Sequence, residues 1–285
     1  MVHRVPRVPW WTVRVTLLGT GFPRPNPRRR GPSQLFDVGS ERFLVDCGSG
    51  VACQLVSIGV SPLDVHHVLI THHHSDHTID LGHLVLSRWI MGQNAPFHVW
   101  GPSGTRRYVD DLLRLHDYDI EVRRAHQDQR PGPRVEVHEI APGVIYESAD
   151  VRISAFLVEH LPVEPAFGFR FEGAERSVAV SGDTRPCENL IRHCREVDVL
   201  IHECTDVTTL RLNPGGGFAS WEVQVARLGS YHTLPDQVGK VAAAAAVKTL
   251  VLSHLTDRTD PADLQRVVAK DFTGKLLVGE DLMEV

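Results

Sequence analysis

A short segment, Thr71–His77, carries several side chains whose types and spacing could bind metal ions. Four metal-capable residues fall within six positions, directly after the apolar run 68–70: His72, His74, Asp76 and His77. If that run is a strand, its two-residue period directs His72 and His74 to the same side, and the next turn brings Asp76 and His77 to a neighbouring point. The spacing therefore predicts two adjacent metal positions.

Two neighbouring metal positions predict hydrolytic chemistry. Cations about 3.5–4 Å apart can share a bridging hydroxide at neutral pH and hold both the attacking and the leaving oxygen of a displacement. The nucleophile is then water and not a side chain. Asp76 could accept a hydrogen bond from that water while it binds metal, and Asp46 could orient a ligand histidine from behind. The sequence alone leaves both of these roles open.

Further segments complete a pattern around this cluster. Asp46 precedes it, and Ser181–Thr184 and Ser253–Leu255 follow it. In this order and at these intervals, the pattern resembles the metallo-β-lactamase superfamily over nearly the whole chain. The opening segments Leu17–Pro23 and Arg30–Ser33 narrow the resemblance to the branch of ribonuclease Z and the arylsulfatase-like hydrolases. The resemblance implies an α/β fold, the αββα sandwich of two mixed β-sheets flanked by helices.

The resemblance also implies a set of metal ligands, carried over position by position. One metal would be held by His72, His74 and His160, the second by Asp76, His77 and His254, and Asp183 would bridge them. Nitrogen and oxygen ligands of this kind suit two zinc ions, with manganese or iron as alternative occupants. His232, within Ser230–Thr233, matches the segment that carries a general-acid histidine in ribonuclease Z.

Most of the 17 histidines are expected to have other roles. His73 should point away from its neighbours if the local backbone is extended, which favours packing behind the cluster. His66, His67 and His83 flank the cluster without the required register, so we expect surface or core positions for them. The pair His202–Glu203 resembles a segment of the same branch and is either structural support at a strand end or a second layer behind the ligands.

The predicted elements place the ligands at strand ends. Strands are predicted at 13–18, 34–38, 42–46, 97–100, 135–139 and 151–158, with helices at about 50–59, 78–92 and 103–116. In the second half, strands at 177–181, 198–202, 249–253 and 275–278 alternate with helices at 186–195, 235–247 and 261–269. We therefore expect His160, Asp183 and His254 in loops past strand ends, within one domain spanning 1–285.

Composition limits the class of protein. The chain has 285 residues, 42% of them hydrophobic, and a net charge of −5, which argues weakly against a nucleic-acid-binding protein. No run approaches the roughly 20 apolar residues that a membrane span requires. The five cysteines form no Cys-x-x-Cys pair, so we expect a cytoplasmic protein without a disulfide framework. Arg28–Arg30 either form a solvated loop or contact an anionic substrate.

Departures from the ribonuclease Z pattern bear on the substrate. That enzyme carries a long tRNA-clamping arm, commonly inserted between the third and fourth motifs, whereas here His160 and Asp183 are 23 residues apart. The basic, turn-rich segment 123–134 is too short to replace it. We therefore expect a ribonuclease Z-like enzyme without the arm that hydrolyses a phosphodiester, or a related small ester, of a compact anionic substrate. The alternatives are tRNA 3′-end processing with RNA as partner, arylsulfatase or lactonase chemistry, and a non-catalytic metal-binding protein.

One insertion, 210–221, contains three glycines together with Phe218 and Trp221. It predicts either a lid over the metal pocket, centred on 212–219, or a surface loop docked on the core or on a dimer partner. A homodimer is expected only because the resembled relatives form one.

Overall fold

Two seven-stranded β-sheets form the centre of the computed structural model, which describes residues 13–92, 95–126, 130–210 and 220–285. The first sheet contains β1 (Arg14–Gly19), β2 (Ser33–Val38), β3 (Glu41–Val45), β4 (His67–Leu69), β5 (Phe97–Gly101), β6 (Val135–Glu139) and β14 (Met283–Glu284). Its order is β14-β1-β2-β3-β4-β5-β6, antiparallel from β14 to β3 and parallel from β3 to β6.

The second sheet has the same mixed character. It contains β7 (Gly143–Glu147), β8 (Arg152–Val158), β9 (Ala166–Glu172), β10 (Ser177–Val180), β11 (Val199–Glu203), β12 (Thr249–Ser253) and β13 (Lys275–Val278). Its order is β13-β12-β11-β10-β9-β8-β7, parallel from β13 to β10 and antiparallel from β10 to β7.

Nine α-helices accompany the two sheets within the described residues. They are α1 (Val51–Ser57), α2 (Ser75–Thr78), α3 (Leu81–Ile90), α4 (Thr105–Leu115), α5 (Asp117–His126), α6 (Glu188–His193), α7 (Trp221–Gly229), α8 (Pro235–Ala244) and α9 (Pro261–Val268). One apolar cluster lies between the sheets, where Phe36 and Phe171 stack with ring centroids 3.9 Å apart. Two further clusters pack α1, α3 and α4 on the first sheet and α6, α8 and α9 on the second. This layering confirms the predicted αββα sandwich.

Several elements differ from the sequence-based expectation. The helix predicted at 78–92 is the shorter α3, and the unpredicted helix α2 comes just before it; the segment 123–134, expected to be turn-rich, begins inside α5. The strands β7, β9 and β14 and the helices α5 and α7 were not predicted. No helix within the described ranges is long and apolar enough to cross a membrane.

Candidate metal centre

The metal-capable side chains meet at one end of the sandwich. β4 leads into His72 and His74, and α2 carries Asp76 and His77 immediately afterwards. In the second sheet, the segments just past β8, β10 and β12 carry His160, Asp183 and His254, respectively. The two sheets are joined here by a backbone hydrogen bond of 3.0 Å from the Phe167 N–H to the Thr71 carbonyl. The carboxyl ends of these strands therefore deliver all the predicted ligands to one place.

The first group of donor atoms consists of three imidazoles and one carboxylate. Nε2 of His72 lies 3.0 Å from Nδ1 of His74, and Nε2 of His160 lies 3.2 Å from the same His74 atom. Oδ2 of Asp183 is 3.9 Å from Nε2 of both His72 and His160. These four donors surround one point, as the ligands of a tetrahedral ion would.

The second group shares the same carboxylate. Oδ2 of Asp76 lies 3.5 Å from Nε2 of His77 and 3.5 Å from Nε2 of His254. Oδ2 of Asp183 is 3.4 Å from the His77 nitrogen and 3.3 Å from the His254 nitrogen. Asp183 Oδ2 therefore lies between the two groups, in the position of a bridging ligand.

Unpartnered atoms indicate what the second group is suited to bind. Among the described residues, Asp76 Oδ2, His77 Nε2 and His254 Nε2 are buried without a hydrogen-bond partner. A buried polar atom left unpaired costs about 1–3 kcal/mol, and a cation at their common point satisfies all three. Imidazole nitrogen and carboxylate oxygen are donors that suit divalent transition metals. The residues present therefore fit divalent metal ions.

Neighbouring groups hold the ring nitrogens that face away from the centre. Nδ1 of His72 lies 3.0 Å from the hydroxyl oxygen of Thr71, and Nδ1 of His160 donates a 2.9 Å hydrogen bond to the carbonyl of Tyr231. With its proton on Nδ1, each imidazole presents the lone pair of Nε2 to the centre.

Asp46 holds His77 in the same way. Its Oδ2 lies 2.7 Å from Nδ1 of His77, and its Oδ1 accepts a 2.8 Å hydrogen bond from the Thr71 N–H. Asp46 has a φ of 60°, in the left-handed region that residues other than glycine rarely adopt. Such strain persists at functional sites where surrounding contacts over-determine the conformation. The geometry needed for Asp46 to orient a ligand histidine is therefore present.

Burial and charge set the protonation of the centre. Burial lowers the pKa of His72 well below its usual value and also lowers the pKa values of His74 and His160. Burial would raise the pKa of Asp183, but His254 and His77 outweigh it and hold that pKa well below the usual range. The first group is therefore neutral imidazole beside an ionised carboxylate, the forms that bind metal.

His232 stands beside both groups. Its Nδ1 lies 2.8 Å from Oε1 of Glu203 and 4.0 Å from Oδ2 of Asp183. Burial would lower the pKa of His232, but Glu203 outweighs it and raises the pKa to about 9. His232, Asp183 and His254 have donor atoms within 4.8 Å of one another, which would also suit a metal. Glu203 favours the charged imidazole, which is the form of the ring that can donate a proton.

Glu203 is a buried residue beside the centre whose role the sequence left open. Besides its contact with His232, its Oε1 accepts a 2.9 Å hydrogen bond from the Thr184 N–H, and its Oε2 accepts one of 3.1 Å from the Thr205 hydroxyl. Glu203 is the last residue of β11, between β10 and β12 in the sheet. Both neighbouring strands lead into predicted ligands. The position of Glu203 at the end of the strand between them is therefore the sequence feature that could have identified it.

Other predicted residues lie where expected or away from the centre. Nε2 of His73 is 2.9 Å from the Thr105 hydroxyl and its ring stacks on Tyr108, which confirms the packing role expected for it. His202 is buried, and its Nδ1 donates a 2.6 Å hydrogen bond to the carbonyl of Glu203.

Two further segments considered in the sequence are 212–219 and Arg28–Arg30. The lid proposed for 212–219 lies outside the described residues; of its flanks, Leu210 is buried and Trp221 begins α7. Neither alternative weighed for Arg28–Arg30 applies to Arg29. Its guanidinium is half-buried and donates 2.7 Å hydrogen bonds to the Thr20 hydroxyl and the Gly279 carbonyl, so it ties the loop to the residues just past β1 in the first sheet and β13 in the second.

Comparison with known sequences places this chain in a family. The family model described as "Beta-lactamase superfamily domain" matches residues 41–255. Ribonuclease Z of Mycobacterium sp. (strain KMS) is 36% identical over 279 residues, which cover 96% of this chain and 95% of that protein. Ribonuclease Z of Mycobacterium bovis (strain BCG / Pasteur 1173P2) is 35% identical over 280 residues, which cover 96% of this chain and 98% of that protein.

Solved structures share the fold. The metallo-β-lactamase fold protein YhfI from Bacillus subtilis superposes with a TM-score of 0.72 at 19% identity, covering 96% of this chain and 98% of that one. The short form of human tRNase Z gives a TM-score of 0.70 at 22% identity, covering 95% of this chain and 98% of that one. With its paired histidine and aspartate groups, this chain belongs to the β-lactamase superfamily and, within it, to the ribonuclease Z family of metal-dependent hydrolases.

Proposed function

We propose that this chain is a two-zinc phosphodiesterase that cleaves RNA. The observation that carries the proposal is the position of Asp183 Oδ2, 3.3–3.9 Å from four imidazole nitrogens that belong to two separate groups. In this proposal one zinc would be held by His72, His74 and His160, the other by Asp76, His77 and His254, and Asp183 would serve both. Mn²⁺ and Fe²⁺ are the alternative ions for the same donors.

The chain's own residues have distinct tasks in the reaction. When bound, the metal ions supply an activated water and the positive charge that stabilises a phosphoryl transition state. Asp76, whose side chain is 11% exposed, accepts a hydrogen bond from the attacking water while its Oδ2 faces His77. Asp46 keeps the His77 ring in place through the 2.7 Å contact with Nδ1. Each of these groups thus acts by position and not by covalent attack.

His232 is the proposed general acid. Glu203 holds Nδ1 and favours the protonated ring, so Nε2 is the atom that gives a proton to the leaving oxygen. The ring lies beside the centre, with its centroid 5.0 Å from that of His160 and 5.3 Å from that of His254. A leaving alkoxide of RNA is a strong base, so a proton donor at this point lowers the barrier to bond breaking.

The choice of RNA rests on the relatives and on a neighbouring cavity. The ribonuclease Z relatives match 96% of this chain. A cavity of about 220 Å³ lies next to the centre and is lined by Phe22, Arg24 and Arg258, among others. The Phe22 ring lies 5.2 Å from the ring of His254, so the cavity adjoins the metal groups directly. An aromatic ring with guanidinium groups suits stacking of a base and contact with a phosphate.

A compact phosphodiester is the second candidate substrate. Between His160 and Asp183 the chain, which is described throughout this stretch, forms β9, β10 and short connections and has no inserted arm. A substrate held without an arm must be recognised mostly at the centre itself, which favours a small molecule. This observation keeps the small anionic substrate expected from the sequence as a testable alternative.

Parallel assays on two substrates separate these candidates. Zinc-loaded and manganese-loaded protein is incubated with a precursor tRNA that carries a 3′ extension, and separately with bis(4-nitrophenyl) phosphate. Asp183→Ala removes the bridging carboxylate, and Asp271→Ala, on the exposed surface, is the matched control. Metal content is measured for every preparation.

The outcomes discriminate clearly. Cleavage of the precursor near its 3′ end that is lost in Asp183→Ala and kept in Asp271→Ala supports the RNA substrate. Turnover of bis(4-nitrophenyl) phosphate with the precursor left intact supports the compact substrate. A protein that holds two metal ions and cleaves neither would overturn the phosphodiesterase proposal.

We also propose that the protein acts as one domain in the cytoplasm and as a homodimer. For the dimer contact we favour the face formed by α3 and α4, where Ile79 and Leu115 are 59% and 80% exposed beside a groove of about 740 Å³. Apolar surface of this kind is typical of a protein–protein contact. Light scattering should give a mass twice that of one chain for the unaltered protein, and Leu115→Lys should lower that mass. Val56→Lys, at a residue that is 62% exposed on α1, is the control and should leave the mass unchanged. A monomeric mass for the unaltered chain would contradict the dimer.

A further inference from the structure

A second group of metal-capable side chains lies away from the catalytic centre, on β5 and β6. The register pairs His98 with Glu136 and Trp100 with His138. Since side chains alternate along a strand, these four project from the same face of the sheet. Phe97, on the opposite face, packs with the helices in the outer apolar cluster. The sheet therefore brings two imidazoles and a carboxylate together on one surface.

The distances between their donor atoms match those of ligands around one ion. Nδ1 of His98 lies 3.1 Å from Nε2 of His138 and 3.6 Å from Oε2 of Glu136, and the three donors lie within 4.8 Å of one another. Two Zn–N bonds of about 2.0–2.1 Å at a tetrahedral angle place their nitrogens about 3.3 Å apart. We propose that His98, Glu136 and His138 bind one zinc ion, in a site separate from the catalytic centre.

The surroundings hold both imidazoles flat and side by side. The indole of Trp100 stacks on His138 with centroids 3.9 Å apart and an interplanar angle of 14°. His67 stacks on His98, with ring centroids 5.1 Å apart and an interplanar angle of 15°. Phe43 in turn stacks on His67, with ring centroids 4.8 Å apart. Rings confined in this way lose little side-chain freedom when an ion binds, which favours binding.

The chemistry of the group favours a cation over a second proton. Burial lowers the pKa of His138, and the neighbouring His98 lowers it further. Burial also lowers the pKa of His67 in the same stack, to about 4. The neutral imidazole of His138 keeps a lone pair for a metal, and the carboxylate of Glu136, 50% exposed, supplies negative charge and an open side for water as a fourth ligand.

The location suggests what the ion would do. β6 is the edge strand of the first sheet, and after it the chain crosses to β7 at the edge of the second. His98 and Glu136 are each the second residue of their strand, whereas the catalytic ligands lie beyond the carboxyl ends. An ion here joins the edge strand to its neighbour and stabilises the folded state without contact with substrate.

The test compares zinc binding by variants of the full chain. His138→Phe keeps a ring against Trp100 but removes the nitrogen ligand, and Glu136→Gln removes the charge from an exposed side chain. His66→Gln is the matched control, an exposed histidine beside β4 outside the proposed donor set. Each protein is stripped with a chelator and dialysed against buffered zinc, and bound metal is counted by mass spectrometry.

We expect wild type and His66→Gln to bind one more zinc per chain than His138→Phe, and Glu136→Gln to bind that ion at least about tenfold more weakly. Zinc should also raise the melting temperature of wild type more than that of His138→Phe. Equal zinc content in wild type, His138→Phe and Glu136→Gln would overturn the proposal. The group would then be only a hydrogen-bonded stack of imidazoles. Because the result is a difference between variants, it does not depend on the number of ions in the catalytic groups.

Discussion

Glu203 and His232 form a buried pair across 29 residues of chain, with Oε1 of the carboxylate 2.8 Å from Nδ1 of the imidazole. Their side chains are only 2% and 6% exposed, respectively. In such surroundings the carboxylate decides whether the ring keeps its proton, because water screens the interaction little. The pair therefore sets both the orientation and the charge of the proposed general acid.

Replacing this carboxylate should move the pH profile. With its pKa raised to about 9, His232 keeps its proton at neutral pH and loses it as the pH rises. Glu203→Gln removes the main cause of that rise, while burial, which lowers the pKa, stays. We expect the alkaline limb of kcat to move to lower pH, and kcat at neutral pH to fall about 10²-fold or more. A pH profile measured beside the exposed control Glu188→Gln checks this; an unmoved alkaline limb would contradict it.

The general-acid role of His232 predicts a dependence on the leaving group. His232→Gln should slow cleavage of RNA by about 10²–10⁴-fold, because its leaving oxygen needs a proton. The same variant should lose far less activity on bis(4-nitrophenyl) phosphate, whose nitrophenolate leaves without one. Metal content is measured alongside and should match wild type. An equal loss on both substrates would instead make His232 a metal ligand or a structural residue.

The contact between Asp46 and His77 predicts an effect on metal affinity. Asp46→Asn removes the charge that accepts from His77 Nδ1, so the His77 ring is held less firmly. Affinity for the ion of the second group should fall about 10–100-fold, with a matching fall in activity at limiting zinc. Asp37→Asn, in a partly buried group of ion pairs with Arg14 and Arg42 on the first sheet, is the matched control. Zinc titration with a competing chelator measures the change, and wild-type affinity in Asp46→Asn would rule the role out.

The two donor groups should release metal at different pH. Burial lowers the pKa of His72 well below its usual value. At His77 burial acts in the same direction, but nearby carboxylates, with Asp183 the strongest, outweigh it and raise the pKa well above its usual value. A raised pKa lets protons compete with metal at higher pH, so the ion beside His77 should leave first on acidification. As the pH is lowered, cobalt-substituted protein should lose its cobalt absorbance in two steps, and His254→Gln should lack the first step. Loss of both ions in a single step would contradict this.

Several elements escaped prediction for identifiable reasons. β9 carries Gly168 among its apolar residues, and glycine weakens a strand pattern. Only the packed structure explains why glycine occupies this position, because a Cβ at Gly168 would lie 2.5 Å from the ring of Phe156. α5 buries little besides Ile120, so its charged sequence carries only a weak amphipathic signal. The single-domain organisation was predicted as well and stays a prediction.

The sequence by itself was enough to predict the candidate metal ligands, because closely spaced residues on one strand and turn have directions set by local geometry. His72, His74, Asp76 and His77 could be assigned for that reason, and the family pattern extended the set to His160, Asp183 and His254. Only the tertiary structure decided which distant groups support them. The partnership of Glu203 with His232 depends on strand order and loop conformation. The approach of His98 to His138, 40 residues apart, depends on the register of β5 and β6, which no spacing along the chain encodes.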